Sequence, residues 1–450
     1  MINRNVKKKM VSFALVLTLT SSLISGCSKT KRNSDTDYSK VDTDNIKKTY
    51  NITFINSESD EIKKKILLGY KDSLNALLGK NHYTITEADV DSESSASMAA
   101  LNSIGKGSDL ILANGKDALS GAHDASTDIP VIGTGVLNFQ TLLNTGNSGL
   151  LNATDSNTTG TSIISPMDDV MSLIIESAKE NPVVGLFYSP EDDDAIYQNE
   201  ALEAFMDSAG IPWKEYELTS SKTAAHSDES SSIDKDAVQH GATNKSSDSS
   251  QSAIEPKTPN TYGSIFGYDS FFDGIGENKT IESPSAPASA RASKVSNDWA
   301  KDIAEDAPDF LKGSSNEDII KYASSECNVI YIPGHSNISS EIDTISKLTT
   351  EAKVPTVTND PETGKKTMTS LYTDPYAFGY SAGKQTYRIL IKNEKPAEMA
   401  IESVPSSVSV KLYNKDIAKA LTRSFPKSFH EYEDYLKNIK PGETTKKIEQ

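Results

Sequence analysis

Residues 373–384 read T-D-P-Y-A-F-G-Y-S-A-G-K. Within them G-Y-S-A-G matches G-x-S-x-G, the nucleophile elbow of serine hydrolases, with Ser381 at the reactive position. An elbow needs an apolar strand running straight into a sharp turn, so that Oγ stands clear of the sheet. The residues before this motif are T-D-P-Y-A-F instead. Asp374 followed by Pro375 pairs a helix N-cap with a proline in the first turn. From there Tyr376, Gly379, Tyr380, Gly383, Tyr387 and Leu390 follow three- and four-residue steps along one helical face. Gly379 and Gly383 on that face permit close approach to a sheet. A Ser–acid–His order would also need His430, the only later histidine, in a charged C-terminal segment. The stretch reads as a capped helix with Ser381 on another face. An esterase acting through Ser381 is the distant alternative.

Outward from this helix, apolar strands and amphipathic helices alternate. Y-N-I-T-F-I-N (50–56) is a β-branched and aromatic run. Behind it Ile62, Leu67, Tyr70, Leu74 and Leu78 recur on one helical face, and Gly79 supplies a stop. H-Y-T-I-T-E-A-D-V, a helix through about residue 104, D-L-I-L-A-N-G, a short helix and I-P-V-I-G-T-G-V follow. After Thr161 the pattern restarts with a helix over 168–180, V-V-G-L-F-Y (183–188), a helix over 194–209 and W-K-E-Y-E-L. Later come C-N-V-I-Y-I-P (327–333), a helix over 339–353, V-P-T-V-T-N-D (354–360) and T-M-T-S-L-Y-T. Short, nearly continuous apolar runs suit parallel strands buried on both faces. Their alternation with helices winds right-handed units into a doubly wound sheet, and the restart predicts two such sheets.

Residues 219–314 break the alternation. They hold 19 serines, no aromatic before Tyr262, and only Ile233, Val238 and Ile254 as large aliphatics up to there. Such a stretch cannot bury enough surface to offset its ordering entropy, so it is predicted to be largely disordered. The aromatic patch Y-G-S-I-F-G-Y-D-S-F-F-D-G-I-G (262–276) is suited to weak docking. Excising 219–314 leaves a continuous α/β chain, so the segment reads as one loop insertion.

The formal charge is −17 over 450 residues, which repels nucleic acid and anionic headgroups. Residues 1–26 depart from that balance. The basic R-N-V-K-K-K precedes an apolar run from Met10 to Leu19, the layout of a secretory signal and too short for a comfortable membrane span. Ser25 and Gly26 directly before Cys27 resemble the bacterial lipobox. That resemblance implies cleavage before Cys27 and a diacylglycerol on its sulfur. Residues 27–47 are polar and suit a flexible tether, so the chain is expected to be held at the membrane by lipid rather than to span it. With Cys27 lipidated, Cys327 has no disulfide partner and reads as a small buried hydrophobe.

Metal and nucleotide chemistry find little support. Among the six histidines no pair has the i, i+4 spacing of a helical metal site, and C-x-x-C is absent. G-Y-S-A-G-K has the wrong spacing for a phosphate-binding loop. E-D-D-D (191–194) lacks the glycine and terminal glutamate of a calcium loop. No cofactor or metal is expected.

Several pieces, taken in order, resemble one family. They are I-P-V-I-G-T-G-V-L-N-F (129–139), T-T-G-T-S-I-I-S (158–165), G-L-F-Y-S-P-E-D-D-D (185–194), V-I-Y-I-P-G-H-S-N (329–337) and A-K-V-P-T-V (352–357). The tyrosine-rich helix start and A-K-A-L-T-R-S-F-P-K-S-F (418–429) complete the series. This layout is similar to the tryptophan- and tyrosine-linked branch of the substrate-binding lipoproteins of ABC importers, across about 48–218 and 315–430. The resemblance implies a type 1 periplasmic-binding fold: two doubly wound parallel-sheet lobes joined by a hinge, with the ligand between them. The expected lobes are 48–160 with about 367–393, and 161–366 with about 398–438.

The resemblance also implies a monomeric binding protein rather than an enzyme, working with an ABC permease and ATPase on the extracytoplasmic face. In such sheets ligands bind at the carboxyl ends of strands. By that rule Ser57, Glu58, Asn114, Thr134, Asn138, Asp192, Asn359 and Asp374 are the candidate ligand-binding residues. For an amino acid, Thr134 and nearby amides would take the carboxylate, and Asp374 the ammonium. Where the family's pattern has Thr-Asp, this chain has Leu137-Asn138, which removes a carboxylate. The rival reading is a surface sensor or interaction module on the same fold, with the insertion as its contact.

Overall fold

The computed structural model describes residues 46–143, 154, 156–178, 181–219 and 313–448. The signal segment, Cys27, nearly all of the tether and residues 220–312 of the insertion lie outside the described residues.

The first half of the body runs β1 (Tyr50–Asn56), α1 (Asp60–Leu77), β2 (Tyr83–Asp89), α2 (Glu93–Gly105), β3 (Leu110–Asn114), α3 (Lys116–Ala125), β4 (Val131–Val136), the short α4 (Phe139–Leu142) and β5 (Thr158–Ser162). The pattern then repeats as α5 (Met167–Ala178), β6 (Val184–Tyr188), α6 (Asp193–Ala209), β7 (Trp213–Glu217), α7 (Asn316–Glu326), β8 (Val329–Ile332), α8 (Ile342–Glu351), β9 (Thr356–Thr358), the short α9 (Pro361–Gly364) and β10 (Thr369–Thr373). The chain closes with α10 (Pro375–Lys392), β11 (Glu402–Ser403), β12 (Ser409–Tyr413), α11 (Lys415–Ala420), β13 (Phe429–Glu431), α12 (Tyr432–Asn438) and α13 (Glu443–Ile448).

Two sheets result. The six-stranded sheet has the order β2-β1-β3-β4-β5-β11, and the seven-stranded sheet β7-β6-β8-β9-β10-β12-β13. The first five strands of each are all parallel and follow one order, second-first-third-fourth-fifth. β12 departs from this pattern, running antiparallel to β10. Every residue of β3 and β8 is buried, as the continuous apolar runs required. Separate cores fill the lobes, one around Ile55, Ile111, Leu119 and Val131, the other around Leu186, Leu202, Tyr331 and Val357. Each such aliphatic contributes roughly 1.5–3 kcal/mol relative to an exposed position. Cys327 is buried beside Ile330 and carries no disulfide.

The chain crosses between lobes after β5, again at Asp374, and again after β11. The expected allotment of 367–393 to the first lobe therefore divides. β10 pairs with β9 and belongs to the second sheet, while α10 packs along α1 of the first lobe. β11, expected in the second lobe, pairs with β5 of the first. Two-residue strands carry no periodicity of their own, so their partner is set by where the backbone lands.

The glycines of α10 serve a different contact from the one expected. They face helix α1, not a sheet. A Cβ on Gly379 would lie 2.0 Å from the Ile66 carbonyl oxygen, and one on Gly69 would lie 2.1 Å from that of Tyr376. The two helices therefore touch backbone to backbone. Tyr70, fully buried between them, bonds through its hydroxyl to Thr386 Oγ1 at 2.8 Å.

Candidate functional site

The carboxyl ends of the two sheets face each other. β1, β3 and β4 present Ser57, Glu58, Asn114, Lys116 and Thr134 from the first lobe. β6, β8 and β9 present Asp192, Asp194, Gly334, His335 and Asn359 from the second. Lys116 at the start of α3 pairs with Asp194 at the start of α6, so a salt bridge spans the lobes. His335 of the second lobe and Lys116 of the first both act electrostatically on Glu58.

On the first lobe the candidate residues form a connected floor. Ser57 Oγ accepts from the Ala118 amide at 3.2 Å, capping α3 in place of a side chain on Gly115. The same hydroxyl donates to the Asn114 carbonyl at 3.2 Å. Asn114 Nδ2 donates to Asn56 Oδ1 at 2.7 Å, while its Oδ1 and the hydroxyl of Thr134 are buried without hydrogen-bond partners. Gly135 has φ +71°, and a Cβ there would sit 2.6 Å from Asn114 Oδ1, so the irregularity near the end of β4 must pass this site without a side chain.

The second lobe's candidates are posts that hold its loops. Asp192 caps α6 through the Ala195 amide at 3.1 Å, and its other oxygen accepts from the Ser336 hydroxyl at 2.9 Å and the Asn337 amide. Asn359 Oδ1 accepts from the Tyr331 hydroxyl at 3.1 Å and the Gly334 amide at 2.7 Å. Its Nδ2 donates to Gln198 Oε1 at 2.8 Å and Ser165 Oγ at 3.3 Å. His335, between these posts, holds φ +56°, an uncommon backbone state for a side-chain-bearing residue. Such strain is concentrated at functional clefts.

Asn138 and Asp374 stand apart from both groups. Asn138 caps α4 through the Thr141 amide at 3.1 Å and lines a cavity of about 60 Å³ at the hinge edge, with Ser165, Tyr197 and Glu402. That volume holds a few waters rather than a solute. Asp374 is 1% exposed at the second crossing. One oxygen accepts from the Tyr376 amide at 3.2 Å, which confirms the expected N-cap. The other accepts from the Gly442 amide at 2.7 Å, tying the C-terminal segment to the hinge.

Ser381 is a packing residue of the first lobe. It accepts from Thr161 Oγ1 at 3.1 Å and donates to Glu402 Oε2 at 3.3 Å, so it ties α10 to β5 and β11. Arg388 on the same helix holds Glu402 at 2.5 Å and Glu394 at 2.6 Å. Burial raises the Glu402 carboxyl above its ordinary range, against the opposing pull of Arg388. His430 lies on β13 in the second sheet, away from this cluster.

Lys116, Asp194, Gln198 and His335 were not singled out as site residues from the sequence. Lys116 and His335 lie two and three residues past the ends of β3 and β8, which was the available signal; Asp194 and Gln198 sit within α6, where the strand-end rule does not reach. Among the described residues no group of His, Cys, Asp and Glu is arranged to hold a metal ion, and no helix is long and apolar enough to cross a membrane.

Two like-ordered parallel sheets, three crossings and facing carboxyl ends define the class: a two-lobed fold of the type 1 periplasmic-binding kind. Comparison with known proteins agrees. Residues 312–430 match the family model described as ABC transporter substrate binding protein. The ligand-free, open structure of CD0873, a substrate binding protein with adhesive properties from Clostridium difficile, superposes with TM-score 0.57 at 16% identity, covering 85% of this chain and 99% of that one. An ABC domain from Streptococcus pneumonia in complex with L-Trp gives TM-score 0.49 at 17% identity, covering 84% and 97%. The leucine binding protein LivK from Thermotoga maritima gives 0.41 at 12%, covering 78% and 86%. At 16% identity the CD0873 superposition shows a shared fold. No curated protein matches the sequence. The chain thus has the type 1 periplasmic-binding fold, and its residues 312–430 carry the pattern of ABC transporter substrate-binding proteins.

Proposed function

We propose that this chain is an extracytoplasmic, lipid-anchored, monomeric receptor that captures a small solute between its lobes and delivers it to an ABC permease and ATPase. An amino acid, with an aromatic one foremost, is the leading ligand. The observation that supports capture is the facing of two sets of strand-end loops across a hinge, joined by the Lys116–Asp194 pair. Hinge closure over a ligand exploits such facing loops. Of the candidate ligand residues, Glu58, Asn114 and Thr134 on the first lobe have the free acceptor capacity; Asp192, Asn359 and Asp374 support the loops around them.

A ligand that binds only the folded protein at 100 times its Kd stabilises it by about 2.7 kcal/mol. Screening the standard L-amino acids, purines and small peptides by thermal shift on the full mature chain is expected to show a rise of several degrees for at least one amino acid. A flat result across all three classes would defeat the receptor reading. The anchor rests on Cys27. Metabolic labelling with palmitate should mark the wild type and not Cys27→Ala; equal labelling of both would remove the lipid.

One observation favours the interaction-module reading. The insertion leaves from the edge strand β7, and its ends are stapled together. Asn316 Nδ2 donates to the Thr219 carbonyl at 2.8 Å, and its Oδ1 accepts the Thr219 amide at 3.0 Å. The staple brings the two borders of that segment together beside β7.

A further inference from the structure

The carboxylates bordering the cleft are nearly all engaged. Asp192 has both oxygens hydrogen-bonded, and Asp194 is paired with Lys116; Asp374, away from the cleft, is saturated too. Asp360 caps α9, accepting from the Glu362 amide at 3.2 Å and the Thr363 amide at 2.9 Å. Glu58 differs. It is half-buried, yet among the described residues no donor lies within hydrogen-bonding distance of its carboxylate. Burial raises its pKa; His335 and Lys116 oppose the rise, and Asp117 adds to it.

Its placement is specific. A Cβ built on Gly115 would sit 2.9 Å from Glu58 Oε1 and 3.1 Å from its Cγ, so the side chain lies across the end of β3. Gly115, at φ +96°, leaves the room for it. The position is the topological switch point of the first sheet. The chain leaves β1 for β2 on one side and then returns to β3 on the other, which opens a crevice between them.

We infer that Glu58 is the specificity-determining carboxylate of the cleft and receives the ammonium group of an amino-bearing ligand. The inference rests on the receptor reading above and moves the ammonium partner from Asp374, whose oxygens are taken, to a carboxylate with none taken. A half-buried carboxylate that accepts no hydrogen bond carries an uncompensated desolvation cost, and an incoming ammonium relieves it. Exposed His335, on the facing lobe, acts electrostatically on the same carboxylate.

The test is a double-mutant cycle on the full mature chain. Each standard L-amino acid that binds is compared with its deaminated carboxylate, against wild type and Glu58→Gln, by calorimetry. Removing either the ammonium or the carboxylate is expected to weaken binding roughly 10- to 100-fold, and removing both to cost little more than removing one. A merely structural role for Glu58 would weaken the amino acid and its deaminated partner equally, which overturns the assignment. So would unchanged amino-acid affinity in Glu58→Gln, with the receptor reading left standing. If no amino acid binds the wild type, the amino-acid reading and this assignment fall together. Melting of Glu58→Gln within a degree or two of wild type checks that the variant is folded.

Discussion

Gly379→Ala is expected to destabilise the protein by about 2–3 kcal/mol, as a fall in the urea midpoint with an unchanged m-value. The new methyl would lie 2.0 Å from the Ile66 carbonyl oxygen. That atom is backbone, so no rotamer change relieves the clash, and α1 and α10 must part along their length. Alanine regains about 1 kcal/mol of helix propensity over glycine, which offsets part of a larger packing loss. Gly383→Ala should cost less. Its methyl would meet Ser73 Cβ at 2.5 Å and Oγ at 2.6 Å; the hydroxyl can rotate away, and the Cβ needs a smaller backbone adjustment than the 2.0 Å approach at Gly379. A Gly379→Ala protein within 0.5 kcal/mol of wild type would mean that this helix pair does not constrain the first lobe. Because α10 follows directly on the second crossing, any parting of the helices reaches the hinge.

Asp374→Ala should cost about 3 kcal/mol, through two losses in separate parts of the chain. Removing an aspartate N-cap typically costs about 1 kcal/mol, here at the head of an 18-residue helix. Leaving the buried Gly442 amide without an acceptor adds about 1–3 kcal/mol. The second loss is local. Lys446 pairs with Asp72 at 3.0 Å and lies over the Tyr376 ring, so Gly442 is one of several points that fasten the C-terminal segment to the first lobe. Hydrogen exchange over residues 440–446 is expected to accelerate in Asp374→Ala well beyond the global change in stability. Unaltered protection there would show that Asp374 acts only as a cap. Asp374→Asn, which keeps one acceptor oxygen, should fall between the two.

Both predictions turn on residues that were visible in the sequence for one reason and matter in the fold for a second. The spacing of Asp374, Pro375, Tyr376 and Gly379 was sufficient to identify a capped helix and to set aside the serine elbow. A cap, an amphipathic face and a glycine stop such as Gly79 are settled within a few residues of chain. Strand–helix alternation is equally local, and its restart after Thr161 announced two sheets. Thr219 and Asn316, at the two borders of the segment read as an insertion, are joined by a pair of hydrogen bonds.

What lay beyond the sequence were choices between partners far apart along it. Gly379 meets Ile66, and Asp374 meets Gly442, 68 residues on. β10 joins β9 while α10 returns to α1, and two-residue β11 finds β5. The site divides in the same way. The strand-end rule picked out Glu58, Asn114 and Thr134 as well as Asp192 and Asn359, because sheet topology alone puts strand ends at a cleft. It could not separate carboxylates already saturated by loop amides from one left open. That distinction depends on donors from other strands and from the opposite lobe, and only the packing of the two sheets brings them within reach.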